Sequence, residues 1–248
     1  MGGQPRWCVV AVSAPPAYSV GNLLHLHTGI AQAARASGAG VVGGNLARAA
    51  ELSITIALLA AAPRRLVTRG GARRGDRIYV TGTVGDAAAG LRLLRGARPR
   101  LSVRTRTHLL RRFRAPTPRL QAGALLVESG IASAMIDVSD GLVQDLGHIC
   151  AASGVGAILR TADVPLSPAY RAARGTDGAL ALNGGEDYEL LCTVPSRNVA
   201  LLDTHRARLR CPITCIGEIT ASTDLRVVDA RGRAVAVEHG GYDHFGRA

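Results

Sequence analysis

Hydrophobic positions along this chain recur in two rhythms, and the alternation between them sets out an order of elements. Residues 7–13 form a short apolar run ended by Pro15 and Pro16, which predicts a strand. Across residues 22–37, Leu23, Leu26, Ile30 and Ala34 share one helical face, with Asn22 as a candidate cap and Gly38 as the stop. Val41 and Val42 lead into Gly43-Gly44-Asn45, read as a glycine turn, before a second β-like run over residues 52–59. Strand, helix, short strand and strand suit an α/β or α+β domain. Residues 63–75 mix Pro, Arg and Gly with little periodicity and are expected to connect two domains. Beyond them the pattern predicts a strand at 77–82, helices at 86–94, 107–113 and 120–129, and a strand at 132–136. A helix over 142–153 and a strand over 155–159 come next, then a Pro-containing loop with a short helix over 162–173. The order closes with a strand-like run at 188–194, a helix at 198–209 and strands at 212–218, 225–229 and 234–237.

The stretch Ile136-Asp137-Val138-Ser139-Asp140-Gly141-Leu142 organises the second half. Leu142, Leu146, Ile149 and Cys150 lie on one helical face, so Asp137 and Asp140 fall on a strand-to-helix turn, where Gly141 permits close approach. Free N–H groups at a helix N-terminus attract phosphate. Carboxylates there repel it unless a divalent cation stands between. Hard oxygen ligands, with Mg²⁺ bridging to substrate phosphates, are the chemistry this pattern suits. A plainer alternative is that Asp140 or Ser139 only caps the helix, which leaves Asp137 unexplained.

Composition narrows the class. At 248 residues the chain is long enough for one large domain or two modest ones. It is 47% hydrophobic, but no apolar run has the length to span a bilayer, and residues 1–6 lack a signal-peptide plan. A soluble, cytoplasmic protein is expected. The cysteines Cys8, Cys150, Cys192, Cys211 and Cys215 form no Cys-x-x-Cys pair and read as reduced thiols, mostly buried. Net charge is +12, and all 30 basic residues are Arg, which points to coding bias. The densest basic stretch, residues 92–119, includes Arg111, Arg112 and Arg114 and allows a nucleic-acid reading. With Phe113 its only aromatic residue there is no stacking platform, so a solvated face is preferred. His25 and His27, two apart on a helix, share no face, and His148 is expected at the surface.

Three glycine-acid turns each follow an apolar run: Gly82 to Asp86, Asp137 to Gly141, and Gly184-Gly185-Glu186-Asp187. With Gly71 to Gly82, Gly85 to Leu91, Ser153 to Ala157, Tyr188-Glu189-Leu190-Leu191 and the closing Tyr242-Asp243-His244-Phe245, the text resembles the thiamine-monophosphate kinase family over nearly the whole chain. The resemblance implies a two-domain aminoimidazole ribonucleotide synthetase-like fold, and transfer of the ATP γ-phosphoryl group to thiamine phosphate. It assigns Asp137 and Asp140 to Mg²⁺, Gly44, Asn45, Arg69 and Ser139 to ATP, and Glu186 and Tyr242 to thiamine phosphate. Residues 1–62 would be a remnant of an ATP-binding and dimerisation domain, 63–75 the connection, and 76–248 the C-terminal α/β domain. Family members pair as homodimers, their N-terminal domains building a shared β barrel.

Two departures qualify these expectations. Asn45 stands where the family has an Asp that binds metal, and an amide brings an oxygen but no charge. The family also carries acidic segments ahead of the text matched by residues 1–6, so a truncated N-terminal domain is expected, with exposed strand edges, a doubtful dimer interface and poor solubility. A non-catalytic relative that binds nucleotide or thiamine phosphate is the alternative reading. A basic nucleic-acid-binding protein is the more distant one.

Overall fold

The computed structural model describes residues 1–62, 64–174 and 178–237. Among them no helix is long and apolar enough to cross a membrane. The chain divides into two compact units, Gly2–Arg65 and Leu66–Ala248.

The smaller unit runs β1 (Gln4–Ala14), α1 (Val20–Ala36), β2 (Gly40–Arg48) and β3 (Ser53–Ala61). Its sheet has the order β2-β1-β3, with β1 parallel to β2 and antiparallel to β3. Helix α1 supplies the crossover that a parallel pair needs. Its cap is Ser19, whose hydroxyl accepts the Asn22 N–H at 3.1 Å, not Asn22 as the sequence suggested. The helix starts at Val20, three residues ahead of Leu23 where its apolar face begins, and the hydroxyl lies three residues ahead of the N–H it receives. The expected Gly43-Gly44-Asn45 turn is instead the interior of β2. Register passes from Cys8↔Val41 to Val9↔Gly43, a bulge that absorbs one residue. A Cβ on Gly44 would stand 1.9 Å from the Val10 carbonyl oxygen, so the glycine serves a close backbone approach and not a reversal. Trp7, Leu46, Ile54, Ile56 and Leu58 on these strands are exposed.

The larger unit is a six-stranded sheet of order β5-β7-β4-β8-β6-β9. Its elements are β4 (Arg77–Thr81), α2 (Asp86–Leu94), α3 (Val103–Arg114), α4 (Leu120–Glu128), β5 (Ala134–Asp137), α5 (Leu142–Ser153) and β6 (Gly156–Arg160). Then follow α6 (Pro168–Arg174), α7 (Ala179–Asn183), β7 (Leu190–Val194), α8 (Val199–His205), β8 (Ile213–Thr220) and β9 (Leu225–Val228). Both faces of the sheet are covered. Ile78, Val80, Ile136 and Leu191 point into one core with Leu142, Leu146 and Ile149, while Tyr79, Met135 and Cys192 point into the other with Leu125, Leu126 and Leu202. Side chains alternate along a strand, so the middle of β4, covered on both sides, is apolar at three successive positions, Ile78, Tyr79 and Val80.

Two predicted elements change. The helix expected at 198–209 is α8 followed by a 3₁₀ turn, Arg206–Leu209. The strand expected at 234–237 reduces to one bridge, Val228↔Ala234. Cys150 and Cys192 are buried thiols, pushed up to about 11 and about 12 by burial, and all five cysteines are unpaired.

The basic stretch is the largest correction. Arg112 and Arg119 are not on a solvated face: both bind the buried carboxylate of Glu189. Arg112 donates to Oε1 at 2.8 Å, and Arg119 donates through Nε to Oε2 at 2.6 Å and through its terminal nitrogen to Oε1 at 2.7 Å. Thr81 donates to Oε2 at 2.7 Å and accepts the Leu190 N–H at 2.8 Å. A Cβ on Gly82, whose φ is +60, would meet Oε1 at 2.2 Å. Removing one partner of a buried pair strands the other, at about 3–5 kcal/mol. Glu189→Ala is therefore expected to lower the unfolding free energy of the chain, read from urea denaturation, by about that much. Asp203→Ala, which breaks the exposed Arg206–Asp203 pair, is expected to change that free energy little.

Candidate active site

Strand β5 ends at Asp137, and the chain turns through residues 138–141 into α5. The pairing of β5 with β7 continues past both strands. Val138 donates to the Glu189 carbonyl at 2.8 Å, Tyr188 to the Val138 carbonyl at 2.8 Å, and Glu186 to the Ser139 carbonyl at 2.9 Å. The Asp137–Gly141 turn and the Gly184–Glu189 segment are thus zipped backbone to backbone. Glycine is required at the seam: a Cβ on Gly185 would stand 2.0 Å from the Ser139 carbonyl oxygen, and one on Gly141 2.8 Å from that of Asn183. This brings Asp137, Ser139, Asp140 and Glu186 to one place, with Glu186 exposed and the other three half-buried.

The acids in this region divide by what they touch. Glu189 is spent on two arginines. Asp187, buried, accepts the N–H groups of Gly85 and Ala87 and so caps α2 from across the fold. Asp86, also buried, accepts from Thr83 at 2.8 Å and from Ser167. Asp145, in the first turn of α5, takes the N–H groups of Ser139, Asp140 and Gly141 at 3.0, 3.1 and 3.2 Å. Among the described residues, neither the Asp137 nor the Asp140 carboxylate has a hydrogen-bond or ion-pair partner. The capping alternative does not hold: α5 has Gly141 at its N-cap and no side-chain cap.

Strain gathers here too. Glu186 and Tyr188 have φ of 72° and 50°, a region that non-glycine residues seldom enter and that concentrates at functional sites. Burial pushes the Tyr188 phenol up, helped by Glu186 as charge and hydrogen-bond partner and by Asp137 and Asp140. Burial also raises Asp145, against its three N–H donors and with the Asp140 charge adding to it.

Other predicted residues fall elsewhere. The Arg69 carbonyl accepts from Ser153 Oγ at 3.2 Å at the C-terminal end of α5, and the neighbouring Thr68 carbonyl accepts the Met135 N–H of β5 at 2.9 Å, two residues before Asp137. Arg69 is exposed and makes no ion pair among the described residues. Gly44 and Asn45 belong to the smaller unit, where Asn45 pairs with Ala11 and is exposed. Tyr242 lies outside the described residues. His148 is exposed, as expected. Sequence reasoning missed Asp145 and Tyr188. For Asp145 a signal existed, since it lies on the apolar face with Leu142, Leu146 and Ile149, where an acid needs donors.

Comparison with known proteins assigns a class first. The AIR synthase related protein N-terminal domain matches residues 1–62, and the AIR synthase related protein C-terminal domain matches residues 73–230. The thiamine-monophosphate kinase of Escherichia coli (strain K12) is 38% identical over 257 residues, covering 99% of this chain and 75% of that protein. The crystal structure of thiamine-monophosphate kinase from Stenotrophomonas maltophilia K279a superposes with a TM-score of 0.84 at 34% identity, covering 95% of this chain and 74% of that one. The structure of AaThiL complexed with AMPPCP and TMP gives 0.82 at 31%, covering 98% and 75%. The chain belongs to the thiamine-monophosphate kinase family.

Burial pushes the Asp187 carboxyl up to about 7, opposed by the Gly85 and Ala87 N–H groups and by Arg112. An acid raised on folding holds its proton more tightly in the folded chain. Its contribution is therefore full below the ordinary carboxylate range and is lost as pH rises to about 7. Melting temperatures of wild type and Asp187→Asn, measured from about pH 4 to 8, are expected to shift in favour of the variant as pH rises.

Proposed function

We propose that this chain catalyses ATP-dependent phosphorylation of thiamine phosphate to thiamine diphosphate. The observation that carries the reading is the pair of carboxylates, Asp137 and Asp140, without a partner among the described residues and on a turn zipped to the Glu186 segment, in a member of this family. Relatives bear the name of this kinase, and AaThiL was solved with AMPPCP and TMP.

The acceptor is a phosphate oxygen, already anionic near neutral pH, so no general base is required of the protein. A bond forms from that oxygen to the γ-phosphorus, the bond to the β-phosphate oxygen breaks, and ADP leaves. What such a transfer asks of a protein is alignment and charge neutralisation. Two half-buried carboxylates without donors among the described residues are a fitting set for a hard divalent cation such as Mg²⁺. When bound, the cation would neutralise phosphoryl oxygens that the carboxylates alone would repel. Asn45 would offer a neutral oxygen in the family's third position, and Gly44, Arg69 and Ser139 would contact ATP. Glu186, exposed beside the aspartates, would face the amino-bearing or cationic heterocycles of thiamine phosphate, with Tyr242 stacked against them. The exposed apolar strands of the smaller unit suit association with a second copy, and a cytoplasmic location accords with this chemistry.

Asn45 favours a second reading, in which the chain binds nucleotide or thiamine phosphate without turnover, because a neutral ligand weakens metal binding. The assay is turnover of the full chain with ATP, Mg²⁺ and thiamine phosphate, followed by chromatography of thiamine diphosphate. Product is expected, with kcat/KM lowered about 100-fold or more in Asp137→Asn. Binding of thiamine phosphate without product would favour the second reading.

A further inference from the structure

We propose that Asp145 is a positioning residue: one of its carboxylate oxygens holds the N–H groups of Ser139, Asp140 and Gly141, and so fixes the aspartate turn in the form that receives a divalent cation. The inference rests on the reading of Asp137 and Asp140 given above. Successive N–H groups turned to one side, ahead of a helix N-terminus, make a nest for an anion. Here the nest is filled from within, because all three N–H groups converge on Asp145 Oδ2 at 3.0 to 3.2 Å. An incoming phosphate therefore meets the carboxylates of Asp137 and Asp140 in place of backbone donors, and can approach only with a cation between. The same bonds stop the turn from relaxing to let Asp140 cap α5, which has no side-chain cap. Asp145 is buried between Leu142 and Leu146, so its oxygen is held in place by packing. From the other side the turn is held by the Ser139 and Val138 carbonyls, which accept from Glu186 and Tyr188. The turn is clamped on both sides, and the side chains of Asp137, Ser139 and Asp140 are left without a hydrogen-bond partner among the described residues.

Mn²⁺ titration of the full chain, with free ion followed by electron paramagnetic resonance, tests this without relying on turnover. Ion bound by wild type and lost in Asp137→Asn establishes the underlying reading; no bound ion in wild type overturns that reading and the proposal with it. Given binding, Asp145→Ala is expected to weaken it about 10- to 100-fold, while Asp145→Asn, which keeps an acceptor oxygen, stays within about threefold of wild type. A side chain that merely supported α5 would lower the melting temperature and leave the ion affinity of the folded chain unchanged, and that result would overturn the proposal. Asp140, Asp145 and His148 each place a ligand atom within 4.8 Å of the others, so Asp145 as a direct ligand is the competing role. Loss of ion in Asp145→Asn as complete as in Asp137→Asn would establish that role instead. Should Asp145→Ala fail to fold, amide exchange in wild type decides: slow exchange at residues 139–141 without added ion supports the clamp, and fast exchange there overturns it.

Discussion

The larger unit depends on one buried carboxylate. Glu189 lies just ahead of β7, inside the protein, and an ionised acid there is tolerable only with donors around it. Arg112 from α3, Arg119 ahead of α4 and Thr81 at the end of β4 supply them. These partners are 77, 70 and 108 residues away in sequence, so a single side chain ties together segments that share no local contact. Gly82 is glycine because the carboxylate occupies the space a Cβ would need. Glu189 also offers its backbone carbonyl to Val138, which carries the order of the ion-pair cluster directly into the aspartate turn.

From that anchor the acids sort by environment. Glu189 and Asp187 are two residues apart, yet one neutralises arginines and the other caps α2. Glu186, in the same motif, is turned outward by a left-handed backbone. Asp145 faces inward and Asp140 has no hydrogen-bond partner among the described residues, although only a turn of chain separates them. The usefulness of Asp137, Asp140 and Glu186 comes from this division. Among the described residues internal donors are taken up by other acids, so Asp137 and Asp140 remain for a ligand, and Glu186 stands exposed beside them with the Tyr188 phenol as its neighbour.

Much of the fold was legible in the chain. Period-2 and helical patterns placed β1, α1, β4, α2, α4 and α5 within a few residues, because each has a clear apolar face and a glycine or proline at its end. The Gly43-Gly44-Asn45 segment was misread, because a glycine pair looks the same whether it reverses the chain or lets a neighbouring strand approach. The segment 234–237 was misread because an apolar run forms a strand only when a partner offers a ladder. For Arg112 and Arg119, a basic stretch gives no sign of which arginine meets a buried acid.

The sequence by itself determined the order and type of the elements, the family text, and the placement of Asp137 and Asp140 on a strand-to-helix turn. Periodicity and turn chemistry are local, and a window of some ten residues carries them. The tertiary structure decided which acids are consumed internally and which stay open, and that Glu186 stands beside the aspartates. Those outcomes depend on burial and on donors contributed by distant segments, and neither exists until the strands have paired.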